Sequence, residues 1–486
     1  MQRTALKEDR LFGVDSRWSW VTAGFLSWLF SVALLAPQSL GVLFYGIVHG
    51  FGVTREEAAW PLVLSASLGS LAGPIMGYVC HRFSCQATLL VSSITTGVAL
   101  CACGFAQSIP ELIFFYGIVH GLAMTALFVT VNVLVSQHFE KRRTTACSLI
   151  FFISGLTMLF APTMAELFRD TYGIRGTFLL LGGITFNACP AVIVLRSPAW
   201  MKNRAHSPAT KSLISSSDAQ VMSSRDLLTS EELEAPPAAE NSETTFRKLK
   251  SVQHFKPLFA ESGAGSVQAD APLPLSSRFL EWKDRGRRIL SRIPAEFWTL
   301  RFVVNSLSFA MVMFGMATFI LLLADIAKDR GVPPSRAVFL MNAFGAGDLV
   351  FRPLSGLVID TRVLSLEAVM FLGFLLQAVG FELFVWMRSF SMMLACSILI
   401  GVSNGARYSL QAPALVKDFG IESLALLIGG TRFLCGVLLM TRPFLFGYCR
   451  DNLGSYDLLL HMVSAANIIF FFAWVVKYFA TRRKPQ

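Results

Sequence analysis

Twelve long apolar runs constrain what this chain can fold into more than any other feature of its sequence. Six lie at about Trp18–Val48, Ala58–Cys80, Ala87–Ala106, Leu112–Val135, Ala146–Phe168 and Thr177–Leu195. Six more lie at about Trp298–Ala324, Val338–Ile359, Leu366–Met387, Met392–Val416, Leu424–Phe446 and Leu458–Phe479. Each is near the roughly 20 residues that a helix needs to cross the hydrocarbon core of a bilayer. With 54% hydrophobic and 15% charged residues, against about 25% charged in soluble domains, the chain has more apolar surface than one water-facing core can hide. Helices pair every backbone N–H and C=O within themselves, as lipid requires. The runs are too long and too continuously apolar for barrel strands. The expected fold class is an all-α membrane protein with twelve transmembrane helices.

The polar stretches between the runs give organisation and orientation. The net charge of +11 sits in short loops and one long one, a distribution that suits a cytoplasmic membrane face and not a nucleic-acid groove. An even number of crossings puts both termini on one face with Arg82, Lys141, Arg142, Arg143, Arg362 and Lys417. That face is expected to be cytoplasmic. Residues 1–17 then form a cytoplasmic N-terminus, 18–196 one six-helix bundle, 297–480 a second, and 481–486 a cytoplasmic tail. The intervening 197–296 is rich in Ser, Pro and charge (Ser212–Ser217, Glu231–Glu240) and reads as a largely disordered cytoplasmic loop. Its basic end, Arg278–Arg292, has amphipathic character suited to anionic headgroups. The polar residues before Trp18 mark the first run as a retained span, not a signal peptide. Most cysteines fall inside apolar runs, where they act as small hydrophobes. Cys80 and Cys85 flank a short loop beside His81, a ligand set too thin for a metal centre. No metal or cofactor is expected.

The chain also repeats itself. Pro74-Ile-Met-Gly77 matches Pro353-Leu-Ser-Gly356, and Pro162-x6-Arg169-Asp170-x-x-Gly173 matches Pro443-x6-Arg450-Asp451-x-x-Gly454, both at an offset of about 280 residues. Two six-helix halves in the same orientation form the parallel repeat of the major facilitator fold. A second repetition, Phe-Tyr-Gly-Ile-Val-His-Gly at 44–50 and 115–121, lies within one half at a different offset.

Charges inside the spans are the candidate functional residues, because burying one in a bilayer is costly. Asp348 and Arg352 stand four residues apart in Gly345-Ala-Gly-Asp-Leu-Val-Phe-Arg-Pro. That spacing puts both on one helical face, where they can pair. The guanidinium can bind a carboxylate bidentately, and the aspartate can act as its alternative partner or accept a proton. Arg407, in Gly401-Val-Ser-Asn-Gly-Ala-Arg, has no acidic neighbour in its own helix and must face a cavity or a partner elsewhere. Arg432 poses the same question. Arg442 is placed to snorkel at a helix end, His120 is a candidate for packing, and Pro37 for a kink. The spans hold no HExxH and no nucleophile–base set, so an enzyme is not expected. A buried ion pair between two repeated halves fits a carrier better than a channel.

Three motifs carry a family resemblance. Asp15-Ser-Arg-Trp18-Ser-Trp20 leads into the first run and His138-Phe-Glu-Lys141-Arg142-Arg143-x-x-Ala146 into the fifth; Asp348-x-x-x-Arg352-Pro353 lies in the eighth. Together they resemble the signatures of the monocarboxylate transporter family. The resemblance covers nearly all of the chain outside the central loop. It implies a major facilitator fold and alternating access to a central cavity. It also implies a plasma-membrane location and a small organic anion as substrate, often moved with a proton. On this reading Arg352 binds the carboxylate with Asp348 as its counter-charge, Gln38 lines the cavity, Arg407 is a further candidate for binding substrate, and Lys141, Arg142 and Arg143 act as a gate or cytoplasmic anchor. Some relatives use a single-span glycoprotein chaperone. The chain departs from the signatures in placing Ser16, Arg17 and Ser19 where the family has small glycine-rich spacing, and Pro37-Gln38 where proton-coupled members have lysine after the proline. Glutamine can hydrogen-bond a carboxylate but carries no transferable proton. The alternatives are therefore an uncoupled facilitator of aromatic amino acids, iodothyronine-like or other zwitterionic solutes, or a membrane receptor that does not transport.

Overall fold

A computed structural model describes residues 13–195 and 295–482. The expectations for the central loop, its basic segment and the extreme termini fall outside the described residues, apart from the short stretches at their edges. The first apolar run forms α1 (Arg17–Gln38) and α2 (Leu40–Phe51), which meet at Ser39. The break has a local cause. Pro37 lacks an N–H and cannot continue the ladder, and Ser39 closes α1 by donating its N–H to the carbonyls of Leu35 and Ala36. The second run forms α3 (Arg55–Leu71) and α4 (Gly73–Arg82), bent by 54° just before Pro74. Thr54 and Glu57 close a reciprocal capping box at the start of α3. The third run is α5 (Cys85–Phe105). The fourth comprises α6 (Ile109–Leu112), a π-helical segment Ile113–His120, and α7 (Gly121–His138).

The fifth and sixth runs share α8 (Arg143–Thr185), continued by α9 (Ala188–Val194). A straight helix of those 52 residues would be about 78 Å long, more than two bilayer cores. Gly173 divides it, with φ 71° and ψ 179°, a conformation open almost only to glycine. Beyond the break, Arg175 and Leu179 pack against Gly104, and Gly182 against Cys101, so the second arm runs back along α5. In the second half the elements are α10 (Leu300–Asp329), α11 (Pro334–Asp360), α12 (Leu366–Trp386), α13 (Phe390–Tyr408), α14 (Gln411–Phe419), α15 (Leu424–Met440), α16 (Arg442–Leu453) and α17 (Asp457–Arg482). Among the described residues 10 helices are long and apolar enough to span a bilayer, or 11 with the bent α3–α4 pair. Counting the two arms around Gly173 separately gives twelve.

Each half has its own apolar core: one around Leu35, Leu43, Tyr116 and Phe178, the other around Phe319, Phe374, Phe381 and Trp474. A third cluster, from Leu26 to Cys435, runs through both halves and joins them. The halves meet chiefly where α8 packs on α11 and where the α3–α4 pair packs on α15. At the second, Gly73 and Gly429 face each other so closely that a Cβ on either would collide with the other's carbonyl oxygen. Both copies of the Arg-Asp-x-x-Gly repeat end on a glycine at positive φ, 71° at Gly173 and 67° at Gly454. The proline copies behave differently. Pro162 and Pro353 lie within helical stretches that continue through them, whereas Pro74 and Pro443 open new ones. Likeness therefore follows the contacts between halves, where the arm of α8 before Gly173 meets α11, more closely than it follows the sequence repeat.

Candidate functional site

The Asp348–Arg352 pair lies where the halves meet. Arg352 Nη2 donates to Asp348 Oδ2 at 2.5 Å, one helical turn away in α11. Both residues are buried, at 7% and 4% exposure, so neither charge is shielded by bulk water. Two further groups complete the pair. Asn404 Nδ2 of α13 donates to Asp348 Oδ1 at 2.7 Å, and Arg352 Nη1 crosses to the other half to donate to the Phe151 carbonyl of α8 at 2.9 Å. The guanidinium also lies over the Tyr408 ring at 4.3 Å, where the ring quadrupole favours a cation.

Glycines make this approach possible. A Cβ at Gly401 or Gly405 of α13 would collide with the Phe344 or Asp348 carbonyl of α11, and one at Gly155 of α8 would stand 3.0 Å from Arg352 Nη1. The small-residue run noted around Arg407 thus serves to bring α13 against α11.

An aromatic bridge links this pair to a second arginine. Tyr408 meets Phe151 edge-on at 5.4 Å, Phe151 lies 5.9 Å from Phe128, and Arg432 of α15 stands over the Phe128 ring at 4.5 Å. The chain Arg352–Tyr408–Phe151–Phe128–Arg432 passes from the second half through two rings of the first and back to the second, with a cation at each end. Arg432 Nε is buried without a hydrogen-bond partner among the described residues. The bridge was not legible in the sequence, where aromatic residues on spans are ordinary.

Gln38 joins the same stretch of α8. Its Nε2 donates to the Ser154 carbonyl at 3.3 Å, and its Oε1 accepts from the Thr157 hydroxyl. The break at Ser39 puts this side chain at a helix end, free to reach α8. Phe151, Ser154, Gly155 and Thr157 therefore form one turn-and-a-half that Arg352 touches from one half and Gln38 from the other. Arg407 points elsewhere. Its Nε donates to Ser403 O at 2.8 Å, its Nη2 to Gln377 Oε1 of α12, and its plane lies 4.3 Å from Phe374.

The two lead-in motifs prove to be one unit. Asp15 accepts the backbone N–H groups of Glu140, Lys141 and Arg142 at 3.2, 2.8 and 3.2 Å, and its own N–H donates to His138 O. Trp20 packs edge-on against Phe139 at 4.9 Å. Trp18 lies in the first turn of α1. Lys141 and Arg142 are exposed, and Arg143 is half-buried with Nε on Ser136 O. Just beyond, Asp360 of α11 accepts the Thr145 N–H at 2.7 Å, and Ser148 hydrogen-bonds Ser409 at 2.7 Å. These contacts fasten the two halves at the end where α1 and α8 begin and α11 finishes. His120 lies away from the pair, buried and stacked on Tyr116. Arg442 is half-buried, with Nε on Leu439 O. The Cys80 and Cys85 sulfurs are 3.9 Å apart and His81 is exposed.

Comparison with known proteins gives consistent relatives. Residues 20–320 match the family model described as Major Facilitator Superfamily. Monocarboxylate transporter 4 of Rattus norvegicus is 22% identical over 436 residues, covering 88% of this chain and 76% of the relative. Monocarboxylate transporter 12 of Mus musculus is 23% identical over 447 residues, covering 91% and 82%. Among solved structures, the proton:xylose symporter XylE bound to 6-bromo-6-deoxy-D-glucose superposes with a TM-score of 0.63 at 12% identity, over 93% of this chain and 94% of that one. This last likeness is one of fold.

Proposed function

Because this chain belongs to the Major Facilitator Superfamily, and so is a multi-pass membrane transporter and not an enzyme, we propose that it moves a small carboxylate-bearing solute across the plasma membrane by alternating access. The observation that carries the reading is the Arg352 guanidinium, buried between the halves and shared among Asp348, Tyr408 and the Phe151 carbonyl of the opposite half. A carboxylate arriving there replaces Asp348 or the carbonyl with a charge-assisted, two-pronged contact. Replacing the carbonyl also releases a tie between the halves, which couples binding to movement. Asp348 acts as counter-charge in the unloaded protein, and Gln38 offers its amide to the solute from the other half. Arg432 adds a second positive charge at the far end of the aromatic bridge, which favours anions and zwitterions over neutral sugars. Lys141 and Arg142 anchor the termini-bearing end at the cytoplasmic headgroups.

Proton coupling, in this reading, falls to Asp348, because Gln38 has no transferable proton. A second reading, uncoupled facilitation of a zwitterion, is favoured by that same neutrality together with the acid–base pair at 348 and 352. Radiolabelled uptake of a panel of monocarboxylates, aromatic amino acids and iodothyronines in a heterologous cell separates the two. An inward proton gradient accelerates a symporter and leaves a facilitator unchanged. No uptake of any carboxylate-bearing solute, from protein shown to be at the surface, would overturn both.

A further inference from the structure

We infer that the second half contains a separate binding site for a single monatomic anion, chloride in cells, held by Arg407 and Gln411. The site lies inside the bundle of α10, α12, α13, α14, α15 and α17, lined by Asn305, Phe309, Gln411, Thr431, Trp474 and Arg407. It does not depend on the solute site proposed above.

Three observations carry it. The first is charge. Arg407 is 1% exposed, and no described carboxylate pairs with it. The nearby ionic groups are already matched: Lys477 with Asp418 at 2.6 Å and Lys417 with Glu367 at 2.6 Å. The partners of Arg407 are neutral: the Ser403 carbonyl, the Gln377 amide oxygen and the Phe374 ring. One net positive charge is thus buried among neutral neighbours. Such a charge is costly without a counter-ion.

The second observation is the set of free donors. Arg407 Nη1 and both amide ends of Gln411 are buried without hydrogen-bond partners among the described residues. The other polar groups on the wall are engaged: Asn305 with Asp418 and Lys477, Thr431 with Ser306 and the Leu427 carbonyl, Trp474 Nε1 with Ser308. What remains unsatisfied is mainly donor capacity, a guanidinium N–H and an amide N–H₂. Whichever way the Gln411 amide is turned, one of its ends donates.

The third is size. Arg407 and Gln411 line one small enclosed cavity. It has room for about one water-sized particle, too little for a carboxylate with its carbon chain. A halide, larger than water in radius by a few tenths of an ångström, enters with a small outward shift of the lining side chains and matches the charge. A water fits the size but leaves the charge unmatched.

The test uses the purified full-length protein in detergent. Its melting temperature is followed as sodium gluconate is exchanged for sodium chloride, sodium bromide or sodium acetate at constant ionic strength. Chloride and bromide should raise it saturably, by a few degrees with half-saturation on the order of millimolar, as expected for a ligand that binds only the folded state. Acetate should not. Arg407→Met should abolish the dependence. Gln411→Leu, which leaves the cation in place, should shift half-saturation at least about tenfold and decides the matter if Arg407→Met does not fold. Equal stabilisation by gluconate and chloride would overturn the proposal and leave a water in the cavity. Stabilisation by acetate as strong as by chloride would overturn the assignment of a monatomic ion. An unchanged chloride response in the variants would overturn the location.

Discussion

Arg352 carries a full charge between two bundles, and its neighbours decide what removing it does. Removing one partner of a buried ion pair costs about 3–5 kcal/mol, because the other is left uncompensated. Arg352→Ala therefore tests folding and transport together. The double variant Asp348→Asn/Arg352→Gln removes both charges and keeps the shapes. It should reach the cell surface at near-normal amounts and show no uptake; substantial uptake would remove the pair from the solute path. Tyr408 offers a finer probe. A ring under a desolvated guanidinium contributes about 2 kcal/mol, which Tyr408→Phe retains and Tyr408→Leu loses. Uptake by Tyr408→Phe should stay within about twofold of the parent, while Tyr408→Leu should fall by about tenfold or more. Equal rates for the two would mean that the ring only fills space.

Helices respond to their surroundings as well as to their residues, and the repeated heptapeptide shows it directly. Phe-Tyr-Gly-Ile-Val-His-Gly forms regular α-helix at 44–50, with Tyr45 and His49 exposed and Arg169 over the Tyr45 ring at 4.7 Å. At 115–121 the same residues lie largely in a π-helical segment, with Tyr116 and His120 buried and stacked and His120 Nδ1 3.3 Å from Ser65 Oγ. Identical local propensity gives two conformations, so packing makes the difference. Two glycine substitutions belong to this scale. Gly173→Ala forces a side chain into a conformation that costs on the order of 1–3 kcal/mol. Gly183→Ala, with open space around it and ordinary helical dihedrals, should be neutral or mildly stabilising. Melting temperatures of the two purified variants should differ by several degrees; equal values would mean that the turn at 173 tolerates other geometries.

In the proposed alternating-access cycle the two halves must separate and rejoin. Thr145–Asp360, Ser148–Ser409 and Arg352–Phe151 hold them together along the first turns of α8, and an alternating-access cycle must break all three. The variant Ser148→Cys/Ser409→Cys places two thiols where two hydroxyls now hydrogen-bond. In a background cleared of other reactive cysteines, mild oxidation should cross-link the halves and stop uptake, and a reductant should restore it. Uptake persisting in fully cross-linked protein would rule out movement at this contact. The proposed cytoplasmic placement of both termini predicts that a tag on either one is labelled only after permeabilisation.

Residue order alone determined the class of this protein. Apolar runs of bilayer length leave few folds open, the repeated Pro and Arg-Asp-x-x-Gly segments made two like-oriented halves legible, and the four-residue spacing put Asp348 and Arg352 on one face. These are local properties, fixed by period and cost of burial. What only the tertiary structure decided is which groups from distant helices share a space. Sequence spacing leaves open that Arg407 faces Gln377 and not Arg352, that Asp15 caps the segment before α8, or that Phe128, Phe151 and Tyr408 link two arginines across the halves. Nor does it say which prolines break their helices, because a missing N–H is tolerated or not according to what packs against it. Contacts between the halves depend on where side chains arrive after the bundles have packed, and no window along one helix contains that information.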